Sequence, residues 1–526
     1  MMLLTKLTDP STVAICCPSR TDLWTGQMSH NTNITNVQPP WGGYPKFVAN
    51  GYLDRHLALW MQQSGYNTYY AGKLFNGHTT SNYANPAAMT GYTDSAFFLE
   101  PFAYQYFNVS YTRRGEPPEN PVGVYSTDLI GEVAQEFLDD ALGDEEGKPF
   151  FVTLAPVAPH GYLQESPVQV TGPPEVAVRH RELFQDYTIP RDENFNPDTP
   201  SSVNWIAGLE KLNDTVVAYN DEYQRLRLRS LMAVDEVVDA VVKRLEDAGV
   251  IDNTYIIYTT DNGFHISQHR LHPGKMCGLE TDINVPLVIR GPGIEEGGQI
   301  VNPSTHTDLA PTIMQLAGIA IDDKQLDGTP MALGLEGESP SLRLEHASVE
   351  FWGIGLGESK YASDDGPLEY MNNTYKGLRI EAEEYGFYYS VWCNNARELY
   401  DMKAGSPVMR CRRDGRANSG STGRLRATQQ PAVVHPAEAW TFRRRPEGPN
   451  GRDPRGPSRR AHDGAQVVPG AGLLRAVEEP PPRWQRVQSG RRARSQVRRL
   501  LPRADQGAVC LLLARVHPRC GGTDGV

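Results

Sequence analysis

No apolar run of about 18 residues occurs anywhere in the sequence, so a membrane-spanning helix is not expected. The opening Met1-Met2-Leu3-Leu4 is interrupted by Lys6 and Asp9, too short for a signal-peptide core. Cysteines are few. The seven, at 16, 17, 277, 393, 411, 510 and 520, form neither a metal-ligand spacing nor a disulfide framework. A strong basic charge is also missing: the net charge of −12 over 526 residues gives no sign of a nucleic-acid partner. From residue 405 onward there is no lysine and no tyrosine, although the preceding chain is rich in tyrosine.

That last absence marks a break in composition. Residues 1–404 carry 27 Lys+Arg and 54 Asp+Glu, whereas residues 405–526 carry 24 arginines and 9 acids. The net charge therefore swings from −27 to +15 at one point. Stretches such as Arg443-Arg444-Arg445-Pro446 and Glu479-Pro480-Pro481-Pro482 lack helical or strand periodicity. An arginine-rich polyanion-binding tail is one reading. A GC-rich reading frame translated out of register is the preferred one, which makes residues 405–526 a tail with no evolved fold.

Between its ends the chain alternates strand and helix patterns. Asp54 to Ser64 has helical apolar spacing and stops at Gly65, and Tyr66 to Lys73 follows as a strand delivering Lys73 at its carboxyl end. Thr127–Leu142 and Tyr223–Ala248 read as amphipathic helices. Pro149–Ala155, Thr254–Thr260 and Val285–Arg290 are continuous apolar strands of the buried kind. This βαβ succession predicts an α/β fold with a mainly parallel sheet sandwiched by helices. From about 345 to 403 short aromatic strands predict a small antiparallel sheet. The expected organisation is a catalytic domain over 1–344, a small-sheet subdomain over 345–404, and the tail.

The most informative stretch is Cys16-Cys17-Pro18-Ser19-Arg20-Thr21-Asp22-Leu23-Trp24-Thr25-Gly26. The β-branched run Ser11–Ile15 before it predicts a strand, and Pro18 suits a first helical position. A strand-turn-helix junction results, with the fork of Arg20 beside a helix N-terminus suited to anions.

These eleven residues match Cys-x-Pro-Ser-Arg-x-x-x-x-Thr-Gly, and the chain resembles the type I sulfatases over residues 11–403. Gly72-Lys73-Leu74-Phe75-Asn76 and Asp261-Asn262-Gly263-Phe264-His265 are similar to the arylsulfatase and N-acetylglucosamine-6-sulfatase group. The resemblance implies an alkaline-phosphatase-like fold and hydrolysis of sulfate esters. It also implies oxidation of Cys16, two before the proline, to formylglycine by the formylglycine-generating enzyme. The hydrated aldehyde would offer one hydroxyl to attack sulfur and a second whose collapse expels sulfate.

Further roles follow from the same resemblance. Asp261 and Asn262, with residue 16, would hold a divalent metal, Ca²⁺. Arg20 would balance charge beside the metal, while Lys73 and Lys275 would bind sulfate oxygens; Pro286, eleven residues after Lys275, has the family spacing. His160, in Ala-Pro-His after a strand, would bind sulfate and protonate the leaving oxygen. The family histidine two residues after the first lysine is Phe75 here, so Asn76, His78 or His265 would take its role. Family members begin with a strand ending in Asp-Asp, whereas Asp9 is the sole acid before Cys16, so that strand is expected to be missing and two strand edges unpaired. Secretion or a lysosome-like location is implied, and sequons at Asn33, Asn108, Asn213 and Asn372 are compatible with glycosylation. The alternatives are a phosphate or phosphonate monoester hydrolase of the same fold, an inactive remnant, and the polyanion-binding tail.

Overall fold

The computed structural model describes residues 5–84, 90–164, 170–300, 302–321, 326–335, 345–361, 369–382, 384–403, 410–411 and 509–515. Eight strands in chain order enter a large sheet: β1 (Thr5–Pro10), β2 (Asn67–Lys73), β3 (Asp94–Leu99), β4 (Ser110–Arg113), β5 (Phe150–Ala155), β6 (Thr254–Thr260), β7 (Asn284–Arg290) and β8 (Gln299–Ile300). A small sheet follows as a meander of β9 (His346–Phe351), β10 (Tyr375–Glu381), β11 (Gly386–Trp392), β12 (Arg397–Asp401) and β13 (Arg410–Cys411). The last strand, β14 (Val509–Arg515), returns to the large sheet, whose order is β8-β1-β7-β6-β14-β5-β2-β3-β4.

Both faces of this sheet are covered, which explains the continuous apolar strands. On β2 successive side chains point to opposite sides. Tyr70 joins a core with Phe151, Ile257 and Leu287, closed by helices α1 (Cys16–Thr25), α2 (Leu57–Gln63) and α5 (His306–Leu316). Tyr69 and Ala71 join a second core with Val152 and Ile256, closed by α3 (Ser126–Leu142) and α4 (Asp214–Asp247). The sandwich is as expected, and α4 starts nine residues before the predicted Tyr223 because Asn213 caps it by accepting from Val216 N at 3.0 Å.

The sheet is mixed, not mainly parallel. Among the described residues of this sheet only β2–β3, β2–β5 and β1–β8 pair in parallel. The connection from β6 to β7 contains just one helical turn, Glu280–Ile283, instead of a crossover helix, so β7 runs back antiparallel. Ser11–Ile15 is not a strand either: β1 ends at Pro10, and the following residues make local bends, with Ile15 N bonded to Val13 O at 2.8 Å. Helix α1 begins at Cys16, placing Pro18 third. Its missing N–H still costs nothing there, because the first turn has no intrahelical acceptors.

The expected tail over 405–526 lies outside the described residues apart from β13 and β14. The unit Gly415–Ser495 falls wholly outside them. For β14 the expectation of no fold gives way: Val509-Cys510-Leu511-Leu512-Leu513-Ala514 is a short apolar run within arginine-rich surroundings. It pairs antiparallel with β6 from Val509↔Thr260 to Arg515↔Thr254 and with β5 from Leu511↔Leu154 to Ala514↔Phe151. The facing edges of β5 and β6 are therefore paired.

Candidate active site

The site assembles where α1 begins and where β2, β5 and β6 end. Every residue of α1 is buried. Ser19 Oγ donates to the Asp261 carbonyl and lies 2.7 Å from His306 Nδ1, so the signature helix, the end of β6 and the start of α5 share one knot. Asp22, on the next turn, accepts from Thr12 Oγ1 at 2.7 Å and from Ser29 Oγ at 3.0 Å. Burial pushes its carboxyl well above the usual range.

Around this knot the cations converge. Arg20 Nε donates to Asp261 Oδ2 at 2.8 Å, and its Nη1 donates to the Lys73 carbonyl at 2.5 Å. Burial opposes the charge on Asp261, but Arg20, Lys73 and Lys275 outweigh it and hold the carboxyl down to about 2. Lys73 reaches the site because Gly72 precedes it. A Cβ at Gly72, φ +110°, would stand 2.1 Å from Ala155 O of the neighbouring strand. Lys73 Nζ is buried with no hydrogen-bond partner among the described residues and lies 4.8 Å over the Tyr104 ring. Lys275 Nζ approaches Cys16 Sγ to 3.5 Å; burial works against its charge, yet Cys16, Glu358 and Asp261 raise its pKa.

His160 stands across Tyr104, ring centroids 4.6 Å apart, with Nδ1 donating to Gly161 O at 2.8 Å. Nε2 is thus the lone-pair nitrogen of the neutral ring. Burial, reinforced by Lys275 and Lys73, lowers its pKa to about 3. His265 is turned elsewhere: Nδ1 lies 2.9 Å from each oxygen of Asp282, and its backbone pairs with Gly274 beside Lys275. The buried trio His265, Cys277 and Asp282 has ligand atoms within 4.8 Å of one another. Its carboxylate is already occupied, since Asp282 also accepts from Cys277 N at 2.9 Å and Thr281 Oγ1 at 3.0 Å.

The residues after Lys73 divide clearly. Phe75 packs on Phe47 at 4.5 Å between centroids. His78 is fully buried between Tyr44 and Phe97 with neither ring nitrogen bonded among the described residues, and burial lowers its pKa to about 4. Asn76 Nδ2 donates to Tyr104 OH at 2.7 Å and to Glu100 Oε1 at 3.2 Å, so it supports the tyrosine between Lys73 and His160. Tyr104 and Glu358 were not singled out from sequence. Neither belongs to a motif, and only the fold brings them to Lys73 and Lys275. Of the sequons, Asn33, Asn213 and Asn372 are exposed and Asn108 is half-buried.

A divalent metal is compatible with this donor set. Asn262 Nδ2 is used by Gly263 O at 2.7 Å, while its Oδ1 is buried without a hydrogen-bond partner among the described residues. Beside the ionised Asp261 that acceptor suits a hard cation.

Comparison with known proteins shows the family of the chain. A sulfatase family model matches residues 5–319. An arylsulfatase from Volvox carteri is 38% identical over 457 residues, covering 82% of this chain and 69% of that protein. The N-acetylglucosamine-6-sulfatase of Bos taurus is 29% identical over 407 residues, covering 72% and 68%. The chain spans 63% of the arylsulfatase of Chlamydomonas reinhardtii, which is 38% identical over 420 residues. Among solved structures, BT4656 in complex with its substrate D-glucosamine-2-N,6-O-disulfate superposes with a TM-score of 0.56 at 20% identity, over 76% of this chain and 84% of that one. That likeness establishes the fold, an alkaline-phosphatase-like sheet between helix layers with a small antiparallel sheet. The chain belongs to the sulfatase family, whose members are sulfuric ester hydrolases.

Proposed function

We propose that this chain hydrolyses sulfate esters in the manner of an arylsulfatase, with Cys16 as the precursor of its nucleophile. The observation that carries the reading is the approach of Lys275 to Cys16 while Arg20 pairs with Asp261 behind it. Converted to formylglycine by a formylglycine-generating enzyme, residue 16 would supply the attacking hydroxyl and release sulfate by regenerating the aldehyde. Asp261 and Asn262 would hold a divalent cation, Ca²⁺ in our reading, which supplies positive charge to the nucleophile and the sulfate oxygens.

The chain's own groups do the remaining work. Lys73 and Lys275 bind the sulfate oxygens, and Arg20 keeps Asp261 ionised and aimed. His160 holds its proton on Nδ1, so without substrate its Nε2 can only accept. A bound sulfate group sets negative charge beside it and opposes the depression that Lys275 and Lys73 impose, which favours a second proton for the departing oxygen. Tyr104 forms the wall between Lys73 and His160. The secretory route, with glycans on the exposed sequons, is the compartment that suits the family and the conversion of Cys16.

The test is co-expression of the full chain with a formylglycine-generating enzyme and assay on aryl sulfate. Turnover is expected, with mass spectrometry locating the aldehyde at residue 16. Turnover unaffected by Cys16→Ala would refute the assignment. Paired assay on aryl phosphate separates the phosphate-hydrolase alternative.

A further inference from the structure

One carboxylate stands among these cations without a role in the reaction. Lys275 Nζ is 3.5 Å from Cys16 Sγ on one side and 3.5 Å from Glu358 Oε1 on the other. The backbone builds this pairing: Gly274 and Gly357 form an antiparallel bridge, and Glu358 N donates to Pro273 O at 2.8 Å. A Cβ at Gly274 would meet His265 Nε2 at 3.0 Å and Leu356 O at 3.1 Å, so glycine permits the close approach. Burial opposes the charge of Glu358, but Lys275, His160 and Arg227 outweigh it and keep the carboxyl below its ordinary range. Asp261, the other carboxylate of the site, is engaged by Arg20.

A sulfate monoester carries one negative charge, whereas a phosphate monoester carries two above about pH 6. The two esters are nearly the same shape, so a site separates them chiefly by charge. Each added negative charge gains from Lys73, Lys275 and Arg20 and is repelled by a fixed carboxylate nearby. We propose that Glu358 is a positioning residue that holds Lys275 beside residue 16 and biases the site toward monoanionic sulfate esters over dianionic phosphate esters. This rests on the sulfatase reading above and extends it to substrate charge.

The test compares phenyl sulfate and phenyl phosphate by calorimetric binding at pH 8, using the full chain with Cys16→Ala to prevent turnover. Glu358→Gln should raise the affinity for phenyl phosphate relative to phenyl sulfate about tenfold or more, because one nearby charge is removed. Glu358→Asp, which keeps the charge, should retain the original ratio. An unchanged ratio in Glu358→Gln, an equal shift in both variants, or no binding of either ester would overturn the proposal. Failure of the sulfatase reading would appear separately, as absence of sulfate-ester turnover by the chain with Cys16 converted.

Discussion

Arg20 and Asp261 are 241 residues apart in sequence and meet at 2.8 Å, both almost fully buried. The pair joins the first turns of α1 to the end of β6, and through the Lys73 carbonyl it joins β2 as well. One helix and two strands are aligned by one guanidinium. A fork with two separately aimed donors is required, and lysine has no equivalent.

Removing that guanidinium should therefore destabilise the fold as well as the site. Arg20→Ala leaves a buried carboxylate without its nearest cation, which costs about 3–5 kcal/mol. Arg20→Lys should lose less, retaining charge but not both bonds. Urea denaturation of the three proteins checks this; a loss under about 1 kcal/mol for Arg20→Ala would contradict the role given to the pair.

Divalent-cation binding should depend on Asn262. Its buried Oδ1 has no hydrogen-bond partner among the described residues, so Asn262→Ala removes an oxygen ligand and leaves the Arg20–Asp261 pair in place. Calorimetric titration with Ca²⁺ is expected to show affinity reduced about tenfold or more. Equal affinity in the two proteins would exclude Asn262 as a ligand.

Mild acid should weaken the protein through its buried neutral histidines. Burial lowers His56, His78, His269 and His306 to about 4, whereas an unfolded chain takes up these protons near 6.5. Between those values the unfolded state binds more protons, so stability is present above about 6.5 and falls as the pH drops toward 4. His78→Phe keeps an aromatic ring between Tyr44 and Phe97 and removes one titration. From pH 7 to pH 5 the variant should gain about 2 kcal/mol relative to the wild type. A difference independent of pH would show that His78 does not contribute.

Strand β14 makes a contrasting prediction for the arginine-rich segment. A proline in an interior strand removes a ladder bond and is tolerated only at edges. Leu512 faces Ile257 on one side and Thr153 on the other, so Leu512→Pro should cost about 3 kcal/mol or more. Deletion of residues 405–526 should likewise abolish a cooperative thermal transition by exposing β5 and β6. Rapid hydrogen exchange at 509–515 in the wild type would mean that the strand does not hold the sheet.

The contrast between α1 and its surroundings shows where sequence sufficed. The signature of residues 16–26, the glycine before Lys73 and the apolar runs of β2, β5 and β6 are local patterns. Each encodes a conformation, and it is through the family resemblance carried by these motifs that Cys16, Arg20, Lys73, His160, Asp261, Asn262 and Lys275 were named as candidates. What those patterns do not carry is direction and partnership. The turn of β7 against β6 depends on a connection with one helical turn, and the mixed sheet follows from it. Strand β14 pairs with segments about 250 and 360 residues earlier, and an apolar run of six residues does not record its neighbours. Tyr104 and Glu358 entered the site for the same reason, and His265 turned to Asp282. Sequence determined which groups are present and where local structure begins. Tertiary structure decided which of them face one another, because that depends on pairing between segments far apart in the chain.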